Sequence, residues 1–206
     1  MAAFVTVEQE GEKENWYFYC AGDSIWRLES LCRFPSASQR VQIRESIGDI
    51  DTTIPHYRLL RADLLRMLLP DDTLRLIFGR HRADAEKLME PLRKAKMWRG
   101  FSLRDVDFTK LEEYRELDDD IEPGNLIFYT VDRAAIERLK SGIGLRRIER
   151  DSRYPSLLFF VAGTIDRSSY GYLHAPSPAD IPPLSSNEFI ALKPIGNGWW
   201  LYKRLK

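Results

Sequence analysis

Ser156-Leu157-Leu158-Phe159-Phe160-Val161-Ala162-Gly163 carries no charge and is too short to form a free-standing buried helix. An apolar run of this length without polar alternation fits a strand covered on both faces. Further along, residues 188–194 and 199–205 flank Gly196-Asn197-Gly198. Asn-Gly supplies the positive φ angles that a two-residue type I′ turn requires, so these residues predict a closing hairpin. Together the two segments mark the centre of a sheet. They do not mark a reaction.

Working outward, residues 125–131 read as a strand, Asp132 as the cap of a helix with Ala135, Ile136 and Leu139 inward, and Gly142 as its left-handed end. Residues 145–148 predict a short strand, and a turn at 166–168 returns the chain through Tyr170-Gly171-Tyr172-Leu173-His174. Four prolines in residues 176–186 predict a surface loop. Toward the N-terminus, residues 4–9 and 16–20 are β-prone runs around a Gly-containing connection, an opening hairpin. Asp23 or Ser24 fits the cap of a short helix through Ile25, Leu28 and Leu31, ended by Pro35. Residues 35–55 fit either a strand, by Val41 and Ile43, or a helix, by Val41, Glu45 and Ile47.

The clearest helix spans 56–69, where Tyr57, Leu60, Leu64, Met67 and Leu68 draw one apolar stripe. Pro70 stops it. Asp71 or Asp72 then caps a short helix ending near Gly79, and a third pattern over 83–97 is kinked or split by Pro91. Residues 56–99 hold eleven Lys or Arg against six Asp or Glu, whereas 105–122 hold nine acids against two bases. Such blocks fit packing against each other, each neutralising its neighbour. The expectation is a single α+β domain over 1–206. Its mostly antiparallel sheet is built from the N-terminal hairpin and the C-terminal strands, and a helical block, about 56–121, packs on one face or end.

Composition narrows function only by exclusion. With 31 basic and 31 acidic side chains the formal net charge is zero, which argues against nucleic-acid binding through bulk charge. The arginine bias of the helical block fits an ordinary solvated face. Two cysteines, Cys20 and Cys32, make no disulfide framework, no basic leader precedes an apolar core, and no apolar run reaches membrane length. A soluble, cytoplasmic protein is expected, with no membrane partner. His56, His81 and His174 have no ligand-spaced companions, and Asp118-Asp119-Asp120 lacks the spaced acids and glycine of a calcium loop, so neither metal nor cofactor is expected. There is no phosphate loop, nucleophile elbow or dinucleotide fingerprint, and no catalytic residue is assigned.

The best candidate is a surface. Strand alternation puts Tyr170, Tyr172 and His174 on one side of their strand, and Trp200, Tyr202 and Arg204 on one side of the last. If those sides coincide and face solvent, they form a patch of the composition found in binding hot spots. The expected function is therefore non-enzymatic: a bacterial immunity- or inhibitor-like module that recognises a protein partner through aromatic strand residues. The alternative is an enzyme acting on a nucleotide-like substrate, with Tyr129, Tyr170, His174 and Glu188 as candidates. Asn125-Leu126-Ile127-Phe128-Tyr129-Thr130, followed by a helix ending at Gly142, resembles the strand, helix and glycine that open ADP-ribosyltransferase folds, over about eighteen residues. The resemblance implies an NAD-holding His or Arg on that strand and a later Glu that orients the ribose. Here Tyr129 and Thr130 stand on the strand without His or Arg, and Glu188 is the later acid.

Overall fold

The computed structural model describes residues 2–9, 12–21, 27–94, 100–102, 132–165 and 168–205. The chain folds as α+β with two antiparallel sheets. β1 (Ala2–Gln9), β2 (Glu12–Ala21) and β3 (Arg27–Arg33) form a three-stranded sheet. Then come α1 (Ala37–Asp49), α2 (Pro55–Met67), α3 (Asp71–Lys94), the short β4 (Gly100–Ser102) and α4 (Arg133–Ile143). A six-stranded sheet follows, built from β4, β5 (Arg147–Asp151), β6 (Tyr154–Ile165), β7 (Ser168–His174), β8 (Phe189–Gly196) and β9 (Trp199–Arg204) in the order β4-β5-β6-β7-β9-β8. The N-terminal strands and the C-terminal strands thus build two sheets, where the sequence led us to expect one.

The uncharged run of β6 lies in the interior of that sheet, between β5 and β7, and Leu157 to Ala162 are all buried. Its odd and even residues enter different cores. Leu158, Phe160 and Ala162 join a cluster with α2, α3 and α4, while Leu157, Phe159 and Val161 join a second cluster with Leu173, Phe189 and Tyr202. Ile181 and Leu184 of the proline-rich loop pack against the second cluster. Asn197 and Gly198 both take positive φ, 54° and 77°, and close the β8–β9 hairpin.

Several local expectations change. Residues 27–33 are a strand, not the tail of a helix; Leu28 and Leu31 are three apart, but a bulge opposite Tyr19 and Cys20 pairs them with Cys20 and Phe18. Residues 37–49 resolve to a helix because Ser36 and Gln39 form a capping box, each side chain bonding the other's backbone. The two helices expected on either side of Gly79 are one, and Pro91 sits inside it. Leu74, Phe78, Ala85, Leu88, Met89 and Leu92 make a continuous buried stripe along α3. Burying such a stripe outweighs the roughly 1 kcal/mol that a mid-helix glycine costs. Residues 100–102 are a strand inside the expected helical block. The expected strand 125–131, the acidic segment 105–122 and the caps Asp23 and Ser24 lie outside the described residues.

Asp132 caps α4 as expected, its carboxylate accepting from the Ala135 amide at 2.9 Å. The left-handed end is Gly144, φ 72°, two residues later than the sequence suggested. Gly142 serves another purpose: the His81 ring of α3 lies so close that an added Cβ would stand 2.2 Å from Nε2. α3 and α4 are also joined by Asp84–Arg138 at 2.7 Å.

Candidate functional site

The β7–β9 register decides the fate of the expected aromatic patch. Tyr170 pairs with Lys203, Tyr172 with Leu201 and His174 with Trp199. Directly paired residues share a face, so Tyr170, Tyr172 and His174 lie with Trp199, Leu201 and Lys203. Trp200, Tyr202 and Arg204 project from the opposite face. The two trios never meet. Nor do they face solvent: Tyr170, Tyr172, Tyr202 and Arg204 are all at most 2% exposed, and only His174 and Trp200 are partly accessible.

Each buried member has a packing role. The Tyr172 ring stacks on Phe78 of α3, centroids 4.2 Å apart, and its hydroxyl donates to the Leu74 carbonyl at 3.0 Å. Phe78 also meets Trp199 at 4.9 Å, and Trp199 meets His174 edge-on at 5.1 Å. Burial, reinforced by Arg93, lowers the His174 pKa, so the ring is neutral near pH 7. Arg204 pairs with Asp151 and, at 2.7 Å, with Glu188; Tyr154 donates its hydroxyl to the same Glu188. Burial alone would raise the Asp151 pKa, but hydrogen bonds from Arg153 and Arg204 hold it far below the usual carboxylate range.

These placements also separate the enzymatic candidates. Glu188 is held by Arg204 on the face opposite Tyr170. Tyr170 and His174 are four residues apart on one strand, about 13 Å at 3.3 Å per residue, beyond shared hydrogen-bond reach. Tyr129 lies outside the described residues.

A second concentration of chemistry sits where the two sheets meet. Asp71 opens α3 and is fully buried; Lys203 pairs with it at 2.7 Å, Lys193 at 2.9 Å, and the Tyr17 hydroxyl donates to its carboxylate at 2.9 Å. Burial opposes the charge on Asp71, yet the two ammonium groups prevail and lower its pKa. Burial and the adjacent carboxylate push Tyr17 well above the usual phenol range, so it stays a neutral donor. Lys203 Nζ also donates to the Phe34 carbonyl at 3.3 Å, and Tyr19 donates to the Ile190 carbonyl at 2.5 Å. Asp71 and Lys203 are 0% and 1% exposed, and of the three charged groups only Lys193 is partly accessible. This centre ties β2, α3, β8 and β9 together, and its chemistry is that of a structural ion cluster.

Among the described residues, a contiguous row of partly exposed aromatic and exposed aliphatic side chains lies on the N-terminal sheet. Along β2 burial alternates strictly: Asn15, Tyr17 and Tyr19 are buried, while Trp16, Phe18 and Cys20 are partly exposed. The register places Val5 beside Trp16, Trp16 beside Arg33, Phe18 beside Leu31 and Cys20 beside Leu28. Val5, Leu31 and Leu28 are 45%, 43% and 58% exposed. Trp16 stacks on Phe18 with centroids 6.3 Å apart, and the Arg33 guanidinium lies 4.7 Å from the Trp16 ring centroid. Glu14 accepts from Trp16 Nε1 at 3.3 Å and pairs with Arg33 and Arg40, fixing one end of the row. These residues escaped the sequence reading because β2 is aromatic at both parities; only Glu14, in step with Trp16 and Phe18, marks the outer side.

Among the described residues no three His, Cys, Asp or Glu side chains are grouped to hold a metal, and no helix is long and apolar enough to cross a membrane. Comparison with family models, curated proteins and solved structures finds no match to this chain.

Proposed function

We propose that the protein is a non-enzymatic binding module that recognises a protein partner through the outer face of β1–β2–β3. The observation that carries this reading is the Val5, Trp16, Phe18, Leu28, Leu31 row, apolar and open, with Arg33 laid on the indole. Contiguous exposed apolar surface costs solubility and is retained where it is covered in use. Trp and Arg at the centre of such a patch are the residue types that anchor interfaces. The charges beside it, Glu14 and Arg33, suit a polar rim that excludes water without demanding a strongly charged partner. The partner is accordingly a protein with a complementary apolar patch.

Affinity capture from host extract identifies the partner, which is then titrated against the wild type and Phe18→Glu. The reading requires affinity to fall about thirtyfold or more, since loss of a hot-spot anchor costs about 2 kcal/mol or more. Equal affinity for the variant would remove this face from the interface. Light scattering of the isolated chain separates a distinct partner from a second copy: a dimer dispersed by Phe18→Glu would reassign the face to self-association.

A further inference from the structure

The connection between α1 and α2 and the first turns of α2 enclose a groove of about 520 Å³, lined by Thr52, Thr53, Arg58, Arg61, Ala62 and Leu65. Small-molecule sites span roughly 300–1,000 Å³, so the volume suits an organic ligand of mononucleotide size. The groove lies on α2, separate from the β1–β2–β3 face.

Its chemistry is one-sided. Two arginines line the wall and, among the described residues, no Asp or Glu does. Arg58 donates through Nε to the Thr52 carbonyl at 2.6 Å and through Nη2 to the Thr53 carbonyl at 3.5 Å. Those bonds fix the loop and leave other guanidinium N–H groups of Arg58 for a ligand. Arg61, one turn further along the same side of the helix, makes no hydrogen bond or ion pair among the described residues. Asp51, next to the lining threonines, accepts from the Thr53 amide at 2.9 Å and the Thr53 hydroxyl at 2.7 Å; those bonds lower its pKa and keep it charged, so two arginines act there against one carboxylate. α2 begins at Pro55 without a side-chain cap, so the positive end of its dipole adds to the same field. Ala62 and Leu65 supply an apolar wall beside the charge, with Leu65 41% exposed.

We propose that this groove binds a small phosphate monoester, its phosphate held by Arg58 and Arg61 and its apolar or aromatic body laid on Ala62 and Leu65. Paired guanidinium groups match the several oxygens of a phosphate better than the two of a carboxylate. Neither the β1–β2–β3 reading nor this one depends on the other.

Isothermal titration of the full chain with AMP, adenosine, inorganic phosphate and benzoate tests the assignment. AMP is expected to bind at least tenfold more tightly than adenosine, phosphate or benzoate. Arg61→Gln, at an exposed position whose loss leaves the loop bonds of Arg58 intact, is expected to weaken AMP about tenfold or more while circular dichroism and the melting curve stay unchanged. No AMP binding at millimolar concentration, equal binding of adenosine, or indifference to Arg61→Gln would overturn the proposal. Benzoate binding as tightly as AMP would overturn the phosphate assignment, and inorganic phosphate doing so would overturn the role given to Leu65.

Discussion

The two sheets are both rich in aromatic residues, yet they use them differently. In the C-terminal sheet, Tyr170, Tyr172, Trp199 and Tyr202 are all sealed, because its central strands pack on both faces. In the N-terminal sheet, Tyr17 and Tyr19 are buried while Trp16 and Phe18, between and beside them, are half open. Composition is the same; what covers each face differs. A ring packed on both sides contributes stability, and the rings packed on one side are those we propose for recognition.

That contrast can be broken at either end. Phe78, fully buried between Tyr172 and Trp199, is the point where α3 grips the C-terminal sheet. Phe78→Ala is expected to cost about 3–5 kcal/mol, read from the urea midpoint at unchanged slope. A loss below about 1 kcal/mol would mean that this face is not sealed. Asp71→Ala, which strands Lys203 and Lys193 without their carboxylate, is expected to cost about 3 kcal/mol or more by the same measurement. It probes the junction between the sheets rather than either one.

Acid probes the same carboxylates together. Asp71 and Asp151 both have pKa values lowered by their cationic partners in the folded chain. The unfolded chain then binds protons more readily near the ordinary Asp value of about 3.9. Their contribution is complete above that pH and is lost as pH falls below about 4. Urea midpoints that hold steady from pH 5 to pH 2 would contradict the pairing. A smaller effect belongs to the α4 cap: Asp132→Ala is expected to cost about 1 kcal/mol, because the Ala135 amide loses its acceptor. Smallest of all is Phe18→Ser, expected to change stability by under about 1 kcal/mol while weakening partner binding about thirtyfold or more. If it instead destabilised the chain as much as Phe78→Ala, the two sheets would not differ as described.

Much of the architecture was legible. The uncharged run of β6, the Asn197-Gly198 turn, the Leu64, Met67 and Leu68 end of the α2 stripe and the Asp132 cap each carry a local signal that tertiary packing reinforces, whereas Tyr57 at the start of that stripe is exposed. Sidedness was not legible. Whether Tyr172 and Trp200 share a face depends on the register of β7 against β9, set between strands some thirty residues apart. A one-residue difference in register exchanges the two faces. The parity of β2 was similarly hidden, because Trp16-Tyr17-Phe18-Tyr19 offers an aromatic to both sides. Gly79 and Pro91 pointed to breaks in α3 that the long buried stripe overrides, and the closeness of His81 to Gly142 involves elements sixty residues apart. The α2 groove left no motif, since its arginines read as part of a general basic bias.

The most direct test is hydroxyl-radical footprinting of the intact chain, free and with its captured partner, read residue by residue. The account predicts rapid labelling of Trp16, Phe18 and Leu31 and strong protection of Tyr170, Tyr172 and Tyr202 in the free chain. Partner binding should then protect the first group alone. Labelling of the C-terminal tyrosines that is lost on binding, with Trp16 and Phe18 unaffected, would contradict it.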